Sequence, residues 1–346
     1  MRRFQPRALV HGVAGALCLV LATLLPAQAQ VSATSPPAAQ SQVADMQVSD
    51  WLLRVHEASR VSAYVGTFVV SANGILSSAR IWHVCDGEQQ VERIDALSGP
   101  SRSTFRRNDQ VLTFLPDRRV VVVEKRESLG LFPNLLQSRD ASWAQFYRVR
   151  SSGHERVAGF ESDVVQLRPV DRLRFGYRVW TEKKTGLVIK LQTLDEEGQV
   201  REQVAFSELQ LDAPLSMAKL NQMMGNTAGY QVETPELVST TAAIEGWRLK
   251  QAVPGFRSMS CYKRLLGTTA DGRRENTLQW IFSDGLASVS LFIEAFDARR
   301  HAPSGSTAMG ATHTLTNRFG DWWVTAIGEV PLHTLAVFMQ GLERKK

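Results

Sequence analysis

Between Tyr64 and Leu211 the chain repeats one theme, a short apolar or alternating run closed by a polar turn. The stretch WTEKKTGLVIKLQTLDEEG, Trp180–Gly198, shows it in full: strand, turn, strand, turn. Its loops EKKTG and DEEG both end in Gly, the residue that accepts a left-handed backbone without a Cβ penalty. Upstream, YVGTFVVS, ILSSARIWHV, QQVERIDAL, VLTFLP and RRVVVVEK are separated by ANG, CDGE, RNDQ and PDR. Each separator contains Gly, Asn or Asp, which suit turns. Connections this short join antiparallel neighbours. The chain is therefore mainly β, with a long antiparallel meander over residues 45–212.

Alternation assigns the faces. Leu173, Phe175, Tyr177 and Val179 fall on one side, Arg174 and Arg178 on the other, and Leu187, Ile189 and Leu191 again form one apolar side. Val120–Val123 and YVGTFVV are apolar on both faces, so those strands must be covered twice or face an apolar cavity. One amphipathic helix at SDWLLRVHEASR, with Trp51, Leu52, Val55 and Ala58 in register and Ser49 or Asp50 as N-cap, is too little cover. The excess predicts an apolar, acyl-accepting cavity lined by some of Phe68, Trp82, Phe114, Val121, Phe175, Tyr177, Ile189 and Leu191. Arg106, Arg107, Arg118 and Arg119 crowd one region of the same sheet. They read as a solvated face or as a rim for lipid head groups, since guanidinium binds phosphate bidentately. The segment Ser128–Asp140 is too apolar for an ordinary loop and reads as a packed plug or a lid.

Composition shifts after Asp212. Residues 213–241 read as a linker containing one helical stretch, APLSMAKLNQMM. Residues 242–346 read as a small antiparallel sheet (RSMSCYK, TLQWIFS, LASVSLFIEAF, DWWVTAIGEV) closed by the helix PLHTLAVFMQGLERKK. Pro331 suits the first turn of that helix, and Leu332, Leu335, Ala336 and Met339 mark its apolar face. One helix covers one face of a small sheet. The other face, with Phe292 or Trp322 as aromatic anchors, is expected to pack on the large domain or on a partner.

The N-terminus has an export pattern: Arg2, Arg3 and Arg7, then the apolar run Gly12–Leu25, then AQA at Ala27–Ala29. Residues 1–29 read as a cleaved signal peptide and residues 30–44 as a disordered tether, which places the mature chain in the periplasm. Removing three arginines and no acids lowers the formal charge from +6 to +3. Nucleic acid is thereby set aside as a partner, and anionic lipid or an acidic protein is favoured. Cys85 and Cys261, in separate domains, are expected to be unpaired.

No phosphate loop, dinucleotide fingerprint or nucleophile elbow occurs in the sequence. The histidines of the mature chain are scattered. His83 and Cys85 share a strand face, but two ligands alone make a weak metal site. Glu196 and Glu197 fall in a turn, where carboxylates are solvated. The sequence argues for no enzyme, no cofactor and no metal.

The segments WLLRVHEASRVSAYVGTFVV, WTEKKTGLVIKLQTLDEEGQVREQVAFSEL, WRLKQAVPGF, FSDGLASVSLFIE and GDWWVTAIGEVPLHTL, in that order behind a leader, resemble the RseB/MucB family of periplasmic regulators of the envelope-stress sigma factor. The resemblance covers essentially the whole mature chain. It implies a large unclosed antiparallel β-barrel similar to periplasmic lipoprotein carriers, and a small α+β C-terminal domain. It implies binding to the periplasmic segment of a transmembrane anti-sigma factor (RseA or MucA type), shielding of that segment from the site-one protease, and release on an acyl-lipid or lipopolysaccharide signal. A homo-oligomer is compatible with this reading. The alternatives are a periplasmic lipid or lipoprotein carrier on the same barrel and, last, a periplasmic hydrolase.

Overall fold

The computed structural model describes residues 63–125, 141–268, 274–301 and 303–345, together with Phe132 and the helical residues Trp51, Arg54, Val55, Glu57 and Ala58. The expected signal peptide, tether and helix N-cap lie outside these residues. So does Ser128–Asp140 apart from Phe132.

Two sheets dominate. The strands of the large one are β1 (Tyr64–Ala72), β2 (Ile75–Cys85), β3 (Gln90–Ala96), β4 (Ser103–Arg107), β5 (Gln110–Leu115), β6 (Val120–Lys125), β7 (Tyr147–Val157), β8 (Phe160–Pro169), β9 (Gly176–Glu182), β10 (Val188–Leu194), β11 (Val200–Leu211) and β12 (Gln231–Glu233). The order is β12-β6-β5-β4-β3-β2-β1-β11-β10-β9-β8-β7. Every neighbouring pair is antiparallel except β12 on β6, and the sheet is left open with β12 and β7 at its edges. The Gly-ended turns behave as their sequences require. Gly186 has φ +79° and Gly198 φ +80°. A Cβ on Gly186 would also stand 2.7 Å from the Arg54 carbonyl oxygen, so this turn seats the N-terminal helix. Glu182 Oε2 closes the same loop by accepting from the Lys184 and Thr185 amides.

The small sheet has seven strands in the order β13-β15-β16-β17-β20-β19-β18. They are β13 (Glu236–Ser239), β15 (Arg257–Thr268), β16 (Arg274–Ser283), β17 (Ser288–Ala295), β18 (Gly305–Met309), β19 (Thr312–Phe319) and β20 (Trp322–Gly328). A two-stranded ladder of β14 (Trp247–Leu249) with β21 (Leu342–Arg344) sits beside it. Sequence reasoning found β15, β16, β17 and β20 and missed the β18–β19 hairpin. Its residues are mostly Ser, Thr, His and Asn, and β18 is exposed throughout. The alternation THTLT was the one available signal.

Besides the N-terminal helical residues and the 3-10 turns Pro116–Arg118 and Ala141–Phe146, the described helices are α1 (Met217–Gly225) and α2 (Leu332–Gly341). Ser216 caps α1 by accepting from the Lys219 amide at 3.2 Å. The span 213–241 does more than connect. It places α1 on the large sheet, adds β12 to one sheet edge and β13 to the other. In α2 the buried stripe is Thr334, Leu335, Phe338 and Met339, whereas Leu332 is exposed. Pro331 stands at the N-cap, one residue before the helix. The basic tail continues into β21, and Arg344 stacks over Trp322 at 4.2 Å.

Among the described residues the two cysteines are free, Cys85 half-buried and Cys261 buried. Burial pushes the Cys261 thiol up to about 11.

Candidate functional site

Strand pairing decides which side chains can share a surface, because residues opposite one another in a ladder point to the same face. On the large sheet, Leu191 stands opposite Val204 and Val204 opposite Val70, two residues from Phe68. Tyr177, two residues before Val179, joins this face through Val179 opposite Leu191. The first face therefore carries Phe68, Tyr177 and Leu191. The N-terminal helix covers it. Trp51 and Val55 cluster with Tyr177, Val179, Leu191 and Val204, and the Trp51 indole donates to Thr181 Oγ1 at 3.0 Å. Phe132 stands against Phe68 at 5.7 Å and Phe206 at 5.2 Å.

The second face is built separately. Trp82 is opposite Arg93, Arg93 opposite Phe105, Phe105 opposite Leu112, and Phe114 opposite Val121. Val65 in β1 is opposite Trp82, which puts this face on the reverse of Phe68. Met224 of α1 joins the cluster of Phe105, Leu112, Phe114 and Val121, and Tyr230 meets Phe114 edge-on at 5.3 Å. Trp82 lies between Arg80 and Arg93, at 5.4 and 5.0 Å.

The eight expected cavity residues thus do not line one surface. Phe68, Tyr177 and Leu191 share one face, and Trp82, Phe114 and Val121 share the other, under α1. Ile189 is fully buried in a cluster with Tyr64, Ile81, Trp180 and Phe206, next to a register shift between Val188 and Lys190. Phe175 precedes β9 and packs on His313 of the small sheet at 5.8 Å. The alternation of apolar residues and arginines does not divide β9 and β10 into a dry and a wet side, because both faces are mostly buried.

The four arginines also separate. Arg106 is on the first face, Nη1 3.5 Å from Glu92 Oε2. Glu92 Oε1 lies 2.9 Å from His83 Nδ1, and the buried His83 ring stacks on Tyr64 at 4.7 Å. This polar chain, not a metal site with Cys85, is the setting of His83. Arg107 bonds the Gln110 side chain, while Arg118 and Arg119 are exposed at the β5–β6 turn, Arg119 with φ +51°. Phe292 and Trp322 sit on opposite faces of the small sheet. Phe292 is opposite Thr325, and Trp322 shares the face of Val324, which is core. Trp322 packs edge-on against Trp247 at 5.7 Å and so cannot anchor the uncovered face. Phe292 lies on that face, half-buried.

What sequence reasoning missed is the junction of the sheets, centred on Arg174. Alternation put Arg174 on a wet face, yet it is 1 % exposed. Its Nε donates to Asp284 Oδ2 at 2.7 Å, its Nη1 to Asp171, and its Nη2 to the Pro254 carbonyl at 2.9 Å. The rings of Phe146 and Phe256 lie over the guanidinium at 4.6 and 5.1 Å. Asp284, in the β16–β17 turn, also accepts from the Leu286 and Ala287 amides through Oδ1 and from Tyr147 through Oδ2. Gly255 has φ +82°, and a Cβ there would collide with Arg174 Nη2 and stand 2.9 Å from Phe146. Thr334 of α2 donates to the Leu173 carbonyl at 2.8 Å, and Leu286 joins the core of the large sheet.

A second junction contact is acidic. Glu202 Oε2 in β11 accepts from the Ala311 amide at 3.2 Å. Burial, and then the Glu202 charge, push the nearby Glu329 carboxyl up to about 7. The folded chain then keeps a proton that the unfolded chain releases above its ordinary carboxyl range. Stability is fully present at pH 4.5 and below and declines as pH rises through 7. Glu329→Gln is expected to raise the melting temperature at pH 8 and leave it unchanged at pH 4.5. An equal shift at both values would exclude this linkage.

Among the described residues no three His, Cys, Asp or Glu are grouped to hold a metal, and no helix is long and apolar enough to cross a membrane. Comparison with known proteins gives the architecture its place. Residues 47–224 match the model of the MucB/RseB N-terminal domain, and residues 241–343 that of the MucB/RseB C-terminal domain. The chain belongs to the MucB/RseB family. Among relatives, it is 31% identical over 306 residues to the sigma factor AlgU regulatory protein MucB of Pseudomonas aeruginosa, covering 85% of this chain and 89% of that one. It is 23% identical over 289 residues to the sigma-E factor regulatory protein RseB of Escherichia coli K12, covering 82% and 86%. The Pseudomonas aeruginosa MucA/MucB complex superimposes with a TM-score of 0.66 at 26% identity, covering 87% of this chain and 99% of that one.

The MucB/RseB segments recognised in the sequence meet at the Arg174 junction. FSDGLASVSLFIE supplies Asp284, WRLKQAVPGF supplies Pro254 and Gly255, and GDWWVTAIGEVPLHTL supplies Thr334.

Proposed function

We propose that this MucB/RseB chain works in the periplasm as a negative regulator of a sigma-E-type response. It binds the periplasmic segment of a transmembrane anti-sigma factor of the RseA/MucA type and shields it from the site-one protease. An acyl-lipid or lipopolysaccharide signal releases it. The observation that carries the reading is the likeness, over 87% of the chain, to a MucB solved together with MucA. The role is one of binding, without catalysis. A carrier of lipid or lipoprotein would leave the docked seven-stranded sheet without a purpose.

The test is proteolysis of the anti-sigma segment by the site-one protease with and without the chain. With the chain at about 100 times its dissociation constant, only about 1 % of the segment is free, so cleavage should slow about 100-fold. An unchanged cleavage rate would sink the shielding role.

A further inference from the structure

The small domain carries a pocket that the regulator reading does not use. It has a volume of about 580 Å³ and indents the domain core beside β14. Its deep wall is Trp247, Val253, Phe256, Cys261, Trp280 and Phe282, all buried. The groove is open to solvent, and its depth has a local cause. Thr241, Ala242, Ala243 and Ala252, all with small side chains, also line it. Ser258 Oγ accepts from the Trp280 indole at 2.8 Å, which satisfies the one polar atom of that wall residue. The volume falls within the range of small-molecule sites, about 300–1,000 Å³, and the mainly apolar lining fits one too.

The mouth has a charge. Arg248 lines it, and the exposed Lys250 follows the lining residue Leu249 in the chain. Two acids lie close by. Glu343 is paired with Arg248 at 2.6 Å and Glu245 with Lys263 at 2.9 Å, and Lys250 adds a positive charge beside these two pairs.

We propose that this pocket binds a single long acyl chain of an anionic amphiphile, with the chain against Trp247, Trp280 and Phe282 and the head group at Arg248 and Lys250. The acyl site then lies in the small domain and not on the large sheet, where α1 packs on the Phe105, Leu112, Phe114 and Val121 cluster and the N-terminal helix on Tyr177, Val179, Leu191 and Val204. The assignment rests on the lipid-responsive reading for its consequence and on the pocket for its evidence. Cys261 supports a dry wall, its thiol being pushed up by burial.

The experiment is a fluorescence titration of the full chain with dansyl-undecanoic acid. Saturable binding, displaced by unlabelled palmitate, is expected. Ala243→Trp and Ala252→Trp fill the mouth from exposed positions and should raise the dissociation constant at least about tenfold, or about 1.4 kcal/mol. Arg248→Glu combined with Lys250→Glu should weaken the probe several-fold while leaving neutral dodecyl maltoside unaffected. Should a tryptophan variant fail to fold, palmitate should still slow labelling of Cys261 by a small thiol reagent in the wild-type chain. No saturable binding, or unchanged affinity in folded tryptophan variants, would overturn the assignment. So would displacement of the probe by the anti-sigma segment but not by palmitate, which would give the pocket to a peptide side chain. Affinity of the same variants for the anti-sigma segment, measured in parallel, reports on the regulator reading independently.

Discussion

Asp284→Ala is expected to lower the unfolding free energy by about 3–5 kcal/mol, because it leaves the buried Arg174 guanidinium without its principal counter-charge. The same carboxylate holds the Leu286 and Ala287 amides and the Tyr147 hydroxyl, so the β16–β17 turn loosens with it. Asp171 still touches Arg174 and keeps the loss below that of a fully isolated ion. Arg174→Met added to Asp284→Ala should cost less than the two single changes summed, since the orphaned charge is then gone. Urea unfolding measures all three. A loss under about 1 kcal/mol for Asp284→Ala would place the pair with exposed salt bridges and remove the junction from the account.

Phe114→Ala is expected to cost about 3–5 kcal/mol, the range for emptying a packed aromatic site. Phe114 meets Phe105 at 5.4 Å and Tyr230 at 5.3 Å, with Met224 in the same cluster. If this face were instead a ligand cavity, the ring would contribute little to stability and much to acyl binding. The expected result is the reverse: a large loss in urea unfolding and unchanged affinity for dansyl-undecanoic acid. A stable variant that loses the probe would restore the cavity to the large sheet.

The meander was legible because its signals are local. Gly186 and Gly198 terminate loops that demand a left-handed residue, and the alternating runs between them have one strand reading each. β18 and β19 were not legible, since a hairpin that is mostly exposed needs no apolar period. The cover of the large sheet was hidden for another reason. Composition marks residues 213–241 as a linker, and nothing local says that Met224 and Tyr230 return to Phe114 and Val121. Arg174 is the clearest case. An arginine in an alternating run reads as solvent-facing, and the partners that bury it include Asp284, 110 residues away. The same contacts mean that a chain cut near Asp212 would lose α1, β12 and the partner of Arg174, so the binding role of the small domain is better tested by substitutions than by truncation.

Phe175→Asp is likewise a poor probe of lipid binding, because Phe175 is buried at the junction against His313. Phe292, half-buried on the face of the small sheet away from its core, is a fairer position from which to look for partner contact.

Every regulatory role described above depends on binding of an anti-sigma segment. Isothermal calorimetry of the chain from Gln30 onward with the purified periplasmic segment of a RseA/MucA-type anti-sigma factor is the decisive measurement. One-site binding is expected, with a dissociation constant at or below about 1 μM, or about −8 kcal/mol, and a weaker constant when palmitate is present. No binding heat with both proteins at concentrations near 100 μM would contradict it.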